Sequence, residues 1–195
     1  MGVEAGFVER LAAARIGITF NQHAASGLLR ERLSRYLDAK ADAAILLVAE
    51  APGYRGTRIS GIPLTSERQL TGSGPAEATA TIVHRVLAEL GLEDDVLLWN
   101  LVPTHPGTAT SNRPPTRAES DGGAAFADEL ACRRRVVAVG RLAHARLGGP
   151  YARHPSHGGA AVFRRGLAAA TAPAVATGRR RRGRARAGAG VAAAR

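Results

Sequence analysis

Three short runs of aliphatic and β-branched residues constrain the fold of this chain more than any other feature. They occupy residues 45–49, 96–99 and 135–139, and each is apolar almost without a break. Uninterrupted apolar runs, as opposed to alternating ones, are typical of strands covered on both faces of a parallel sheet. A fourth short strand is predicted through Ala152 and Arg153.

Segments with helical periodicity separate these strands. They cover residues 28–40, 75–90, 116–132, 141–147 and 159–170. Their apolar residues recur at the spacing of helices that bury one face. Strands that alternate with helices predict an α/β fold, with three α/β/α layers around a central four-stranded parallel sheet. We expect residues 1–170 to form a single domain, with residues 1–27 as an N-terminal extension that contains a helix.

The positive charge of the chain is concentrated at its C-terminal end. Lys and Arg number 27 against 16 Asp and Glu, which gives a formal charge of +11. Seven of the arginines and none of the acids lie in residues 178–195, so residues 1–177 carry only +4. Residues 171–195 are rich in Arg, Ala and Gly and have no periodic apolar face, and we predict that they are disordered. The mildly basic remainder suits contact with a polyanion.

Several classes of function lack the residues that they need. The single cysteine, Cys132, provides neither an internal disulfide nor a multi-cysteine metal or iron–sulfur site. The glycine-containing segments match neither a Walker loop nor a dinucleotide fingerprint, and we expect no cofactor. The N-terminal residues carry no apolar segment long enough for a signal peptide or a membrane span, which favours a cytoplasmic protein without a membrane partner. We also expect a monomer.

Polar residues follow the strands at three places where Pro and Gly also occur. Glu50 follows the first strand within Glu-Ala-Pro-Gly, Asn100 follows the second, and His154 follows the last within His-Pro-Ser-His-Gly-Gly. Because parallel strands end at the same edge of a sheet, we expect these side chains to lie close together. Pro and Gly fix unusual backbone paths there and let a ligand approach the main chain.

Each of these residues also has an ordinary structural explanation. Glu50 could cap a following turn, and Asn100 could end its strand in an Asx turn. His154 and His157 have the spacing of a metal-binding pair, but no third or fourth ligand accompanies them, and no metal is expected. Ser156 beside His154 lacks the Gly-x-Ser-x-Gly elbow and the acid of a serine hydrolase. The coincidence of three polar groups at one edge is therefore the stronger signal.

Taken in order, these segments resemble the motifs of the uracil-DNA glycosylase superfamily. The matching stretches are AEAPG at residues 49–53, LLWN ending at Asn100 with SNRPPTRAE downstream, and HPS at residues 154–156. The resemblance is to the bacterial branches with a G-E-A-P-G first motif, and it extends over about residues 45–163. It implies uracil-containing DNA as the partner, and a repair reaction that hydrolyses the N-glycosidic bond and leaves an abasic site. It implies no metal and no lysine nucleophile.

The resemblance also implies a role for each motif residue. Uracil must leave the duplex, and Asn100 would then accept from its N3–H and donate to its O4. An amide clamped in that orientation would reject cytosine, which presents the reverse pattern. His154 would hydrogen-bond the charge that develops on O2, and Glu50 would orient the attacking water and favour the cationic sugar. The remaining residues assigned to the base pocket are Ala51, Pro52, Gly53 and Leu64.

A second set of residues is assigned to contacts with DNA. Residues 156–159 resemble a loop that presses into the minor groove, and the two glycines could bring backbone N–H groups to a phosphate. Arg113 and Arg153 are candidate phosphate contacts, against the ordinary alternative of solvated surface arginines. The predicted DNA-binding residues are Arg113, Arg153, Ser156, His157, Gly158 and Gly159.

Two positions depart from the family pattern. Ala49 replaces the first glycine of the motif, and Leu64 stands where relatives have a phenylalanine that stacks on uracil. Leucine forgoes part of a stacking energy of about 1–3 kcal/mol per base, and Phe20 or Tyr54 are alternatives for that contact. Two further hypotheses stay open: a glycosylase for another deaminated base such as hypoxanthine or xanthine, and a non-catalytic protein that binds damaged DNA.

Overall fold

The computed structural model describes residues 6–172, and its centre is a four-stranded sheet. The strands are β1 (Ile45–Ala49), β2 (Val96–Asn100), β3 (Arg135–Val139) and β4 (Tyr151–Ala152). Their order is β2-β1-β3-β4, and every neighbouring pair is parallel. The predicted fold class is therefore confirmed.

Helices connect the strands and cover both faces of the sheet. Before β1 lie α1 (Phe7–Ala13), α2 (Gln22–Ala25) and α3 (Gly27–Ala39). Between β1 and β2 lie α4 (Thr57–Ser60), α5 (Glu67–Thr71) and α6 (Ala78–Leu90). The later helices are α7 (Arg117–Ala131), α8 (Arg141–Leu147) and α9 (Gly159–Thr171), with a 3₁₀ turn at Pro155–His157. None of the helices within residues 6–172 is both long and apolar enough to cross a membrane.

The apolar strands form a core on each side of the sheet, because alternate side chains of a strand point to opposite faces. In β1, Leu47 packs in a cluster with residues of α6 and α9. Its neighbours Leu46 and Val48 pack on the other face with residues of α1, α3 and α7. Burial on both faces explains why the strand runs are apolar throughout and do not alternate.

The N-terminal segment, predicted as an extension, is built into the core. The ring of Phe7 meets Trp99 of β2 edge-on, with 5.5 Å between the ring centroids. The Asn21 side chain accepts from the backbone N–H groups of His23 and Ala24, and its Nδ2 donates to the Leu11 carbonyl at 2.7 Å. Asn21 therefore caps α2 and ties it to the end of α1.

Two predicted boundaries shift by a few residues. The helix expected from residue 75 begins at Ala78, and Glu77 occupies its N-cap position. The tail is expected from residue 171, but Thr171 still belongs to α9 and Ala172 caps it. The rest of the predicted disordered tail, residues 173–195, lies outside the described residues.

Candidate active site

A cleft of about 880 Å³ opens at the edge of the sheet where the strands end. The chain reverses there after each strand, so side chains that are distant in sequence meet around one space. The cleft brings together most of the residues predicted for the site. Those lining it are Glu50, Ala51, Pro52, Gly53, Leu64, Asn100, Arg113, Arg153, His154, Ser156 and His157.

Asn100 ends β2 and presents an unpaired amide to this cleft. Its Cα pairs with that of Ala49 across the sheet, and the residue is 1% exposed. Neither Oδ1 nor Nδ2 has a hydrogen-bond partner in the described part of the chain. A buried polar group left without a partner costs about 1–3 kcal/mol, and such groups often mark positions where a ligand or an ordered water binds.

The expected clamp on the Asn100 amide is not found among residues 6–172. No protein group there fixes which end of the amide is the donor.

Glu50 stands one residue beyond the end of β1, half-buried at the cleft wall. Its backbone carbonyl accepts from the Val102 N–H at 3.0 Å, which fixes the turn beside Asn100. Burial raises the pKa of the Glu50 carboxyl, and the nearby His157 lowers it in part. A carboxylate without a hydrogen-bond partner in the described chain is free to accept from a bound water.

His154 caps the 3₁₀ turn and is oriented by Ser156. The Ser156 N–H donates to His154 Nδ1 at 3.3 Å, and the Ser156 hydroxyl lies 2.7 Å from the same nitrogen. Burial lowers the pKa of the His154 imidazole, and the charge of His157 adds to this effect. Because Nδ1 accepts, the proton of the neutral ring sits on Nε2, which makes that atom the donor available to a ligand.

Leu64 lines the cleft in a strained conformation. Its φ is 51°, in the left-handed region that non-glycine residues rarely adopt. Its N–H donates to Thr57 Oγ1 at 3.1 Å, and its side chain is 5% exposed within the core. Phe20 and Tyr54, the predicted alternatives for stacking, do not line the cleft. Of the three residues considered for contact with the base, only Leu64 lines the cleft.

The loop after β2 is tied to the turn after β1 by two side chains. His105 is fully buried, and its Nδ1 and Nε2 each lie 2.8 Å from a carbonyl oxygen, of Pro52 and Thr108 respectively. Asn112 Oδ1 accepts from the Tyr54 N–H at 2.8 Å. These contacts hold the segment that carries Glu50 against the segment that follows Asn100.

Arg113 lies at the cleft but is held by a carboxylate. Its Nη1 and Nη2 donate to the two oxygens of Glu119 at 2.7 and 2.6 Å. Glu119 is 1% exposed and also accepts from the Thr116 N–H at 2.8 Å in a capping box of α7. The Arg113 guanidinium holds the pKa of the Glu119 carboxyl down at about 2. The structure thus gives Arg113 a bidentate ion pair, and a phosphate contact by it stays a prediction.

The remaining predicted DNA contacts lie around the His154 turn. Arg153, Ser156 and His157 are exposed at the cleft. Gly158 and Gly159 do not line it; they join the 3₁₀ turn to α9, with Gly159 at a φ of 69°. A left-handed φ explains why glycine stands at position 159.

Glu77 is a cleft residue that the sequence did not reveal. As the N-cap of α6 it makes no side-chain capping bond, and its carboxylate turns to the segment after β1. A Cβ on Gly53 would stand 2.2 Å from one Glu77 oxygen, and a Cβ on Gly56 would meet the other at a still shorter distance. Burial raises the pKa of Glu77. The sequence predicts a helix from residue 75, and this prediction places Glu77 inside the helix. Its carboxylate at the cleft was therefore not anticipated.

The fold and the cleft define a class of ligand-binding α/β/α domain. Asn100, Glu50 and His154 line one cleft where the parallel strands end, and the Asn100 amide is buried there without a partner in the described chain. Within residues 6–172 no cluster of three or more potential metal ligands accompanies them.

Comparison with known proteins places the chain in a family. The family model "Uracil DNA glycosylase superfamily" matches residues 36–181. The chain therefore belongs to the uracil DNA glycosylase superfamily, and it is by family a hydrolytic DNA glycosylase whose partner is DNA.

A solved structure supports the fold assignment. The crystal structure of wild-type SMUG2 from Pedobacter heparinus is similar with a TM-score of 0.61 at 11% sequence identity. The match covers 84% of this chain and 96% of that one. The comparison with curated proteins gave no match.

Proposed function

We propose that this protein removes uracil from DNA by hydrolysing its N-glycosidic bond. The observation that carries the proposal is the buried Asn100 amide, which has neither its donor nor its acceptor paired in the described chain. Uracil presents N3–H beside O4, so one amide can form two hydrogen bonds with it. To reach the cleft the nucleotide must leave the base stack, at a cost of about a few kcal/mol.

The leaving base takes the electron pair of the broken bond between C1′ and N1. Its negative charge spreads to O2, where His154 Nε2–H is the available donor because Ser156 occupies Nδ1. A neutral histidine suits this role, because its Nε2–H donates a hydrogen bond without prior protonation of the ring. The burial that lowers the pKa of His154 favours that neutral form.

Water supplies the group that replaces the base. Its oxygen adds to C1′, and Glu50 accepts one of its protons. While the sugar carries positive charge, the half-buried carboxylate also stabilises it electrostatically. Glu50 then releases its proton to solvent and the base anion takes one up, so the products are the free base and an abasic sugar that bears a hydroxyl at C1′.

A second candidate substrate is hypoxanthine or xanthine. Leu64 puts an aliphatic side chain, held by a strained backbone, on the cleft wall where the family pattern has an aromatic ring. Hypoxanthine also presents an N–H beside a carbonyl oxygen, so the Asn100 pairing holds for it too. Replacement of the ring by leucine changes the shape of this wall, and a wider pocket would favour a larger base.

The test is a cleavage assay on labelled oligonucleotides, single- and double-stranded, with one uracil, hypoxanthine, xanthine, cytosine or thymine. Alkali converts each abasic site to a strand break. We expect cleavage at uracil that Asn100→Ala and His154→Ala each reduce at least about 100-fold. Faster cleavage at a purine would replace uracil by that base. Tight binding of DNA with no abasic product from any base would refute the glycosylase and favour a non-catalytic DNA-binding protein.

A further inference from the structure

Two arginines, Arg55 and Arg58, lie in the segment after β1 that borders the cleft. Gly53 and Thr57 of this segment line the cleft, and Arg55 and Arg58 are each within two residues of one of them. The sequence assigned no role to either arginine. Because their neighbours in sequence line the cleft, the environment of these two arginines is informative.

Each guanidinium lies against an aromatic ring. The Cζ of Arg58 is 4.8 Å from the centroid of the Phe20 ring, and Phe20 is itself 41% exposed. The Cζ of Arg55 is 5.9 Å from the centroid of Tyr54. Contact with a ring face restricts the guanidinium plane and leaves N–H groups at its edges available for a ligand.

Neither arginine is neutralised by the protein as far as the structure describes it. No ion pair or side-chain hydrogen bond involves Arg55 or Arg58 within residues 6–172, and Arg58 Nε is buried without a partner. Glu77 lies against the same segment at Gly56, yet it forms no ion pair with either of them. Arg113, by contrast, already has both of its terminal nitrogens on Glu119.

We infer that Arg55 and Arg58 form a phosphate-binding pair that holds the DNA backbone beside the flipped nucleotide. The inference rests on the proposed function for its partner. A guanidinium edge matches two phosphate oxygens in a bidentate contact, and a side chain already restrained by an aromatic ring loses less freedom on binding. Arg55 and Arg58 then attract the DNA phosphates, whereas the charge of Arg113 is already compensated by Glu119.

The salt dependence of DNA binding tests the pair. Affinity for a fluorescent uracil-containing duplex is measured by anisotropy from low to moderate KCl, with the full chain in every variant. Each phosphate neutralised contributes about 0.9 to the slope of log K against log salt, so Arg55→Gln/Arg58→Gln should flatten the slope by about 2 and each single change by about 1. Arg55→Lys/Arg58→Lys keeps both charges and should retain most of the slope.

The matched control is Arg35→Gln/Arg85→Gln, which removes the same charge elsewhere. Arg35 of α3 and Arg85 of α6 pair with Glu31 and Glu89 of the same helices, and neither arginine lines the cleft. An unchanged slope in Arg55→Gln/Arg58→Gln, or one no flatter than in this control, would overturn the inference while cleavage by the parent protein upheld the function. A parent that cleaves no base but binds DNA with an Arg55- and Arg58-dependent slope would support the phosphate-binding pair and overturn the proposed function. A parent that binds no DNA would overturn both.

Discussion

The carboxylate of Glu77 occupies the space that a side chain on Gly53 would need. A Cβ atom on Gly53 would stand 2.2 Å from Glu77 Oε1. The glycine that ends the Glu-Ala-Pro-Gly motif is thus required by a neighbouring acid, because its own φ is not in the left-handed region. A partly buried carboxylate without a partner in the described chain costs free energy, and such groups concentrate at functional sites.

We predict that Glu77→Gln raises the free energy of unfolding by about 0.5–1 kcal/mol at pH 7, because it removes a desolvated charge and keeps the shape. Urea denaturation measures this. The raised pKa of Glu77 means that the folded protein takes up a proton more readily than the unfolded chain. The advantage of the variant should therefore shrink as the pH falls through the pKa of folded Glu77. A variant less stable than the parent at pH 7 would show that the carboxylate makes a stabilising contact.

Asn100 and Asn112 should respond in opposite ways to the same substitution. Asn100→Leu removes a buried amide that has no partner in the described chain, so stability should hold or rise while cleavage falls at least about 100-fold. Asn112→Leu removes the acceptor of the Tyr54 N–H and should lower stability by about 1 kcal/mol. Thermal unfolding and single-turnover cleavage are measured on both variants. Full activity in Asn100→Leu would contradict the assignment of the base-binding amide.

The rate of cleavage should depend on ionised Glu50. Burial raises the pKa of this carboxyl, so kcat/KM should fall on the acid side at a pH above the ordinary value of 4.5. In Glu50→Gln the residual rate should be low and should lack this acid limb. Rates are measured from pH 4.5 to 8 at constant ionic strength. An acid limb that persists in Glu50→Gln would assign it to another group.

The Arg113–Glu119 pair should stabilise the fold across neutral pH. Glu119→Gln leaves Arg113 facing a neutral amide and should lower the free energy of unfolding more than the loss of an exposed ion pair does. Because the pKa of folded Glu119 is depressed to about 2, this contribution is present above about pH 4.5 and is lost as the pH falls toward 2. Glu31→Gln, at the exposed pair with Arg35, is the control and should cost less than about 0.5 kcal/mol. Equal effects of the two substitutions in urea denaturation would refute the special role of Glu119.

His23 should make the fold sensitive to mild acid. It is 2% exposed, and burial lowers its pKa to about 4. Below pH 6.5 the unfolded chain binds a proton that the folded protein refuses, so about 3 kcal/mol of stability is lost between pH 6.5 and 4. His23→Gln should remove this part of the pH dependence, whereas His144→Gln, at an exposed histidine, should leave it in place. The stabilities come from urea denaturation at pH 7, 5.5 and 4.5, about the range where the effect develops.

The sequence was most informative where one physical signal dominated. The continuous apolar runs located β1 and β3 to the residue, because strands buried on both faces admit little else. The short helices α2, α4 and α5 span four or five residues, too few to display a periodicity. The order of the strands also depends on packing that no local pattern records.

The site was predicted in the same uneven way. Glu50, Asn100 and His154 were predicted to lie together because each follows a strand predicted from the sequence. Glu77 and Arg58 were missed because their partners, Gly53 and Phe20, lie 24 and 38 residues away in the chain. Such contacts exist only after folding. The position of Glu119 in the ion pair with Arg113 has a local signal, because Thr116 and Glu119 have the sequence spacing of a capping box.

The short pairing of β4 affects the order in which the parts of the site lose their structure. β1 and β2 pair along five positions, whereas β4 is joined to β3 through only two. His154 therefore follows the strand with the fewest paired residues, whereas Asn100 belongs to a strand that is paired along five positions. Local opening is expected to release the histidine first, and backbone amides near β4 should exchange with deuterium sooner than those of β2. On warming, the turn that carries His154 is therefore expected to lose its order at a lower temperature than the strand that carries Asn100.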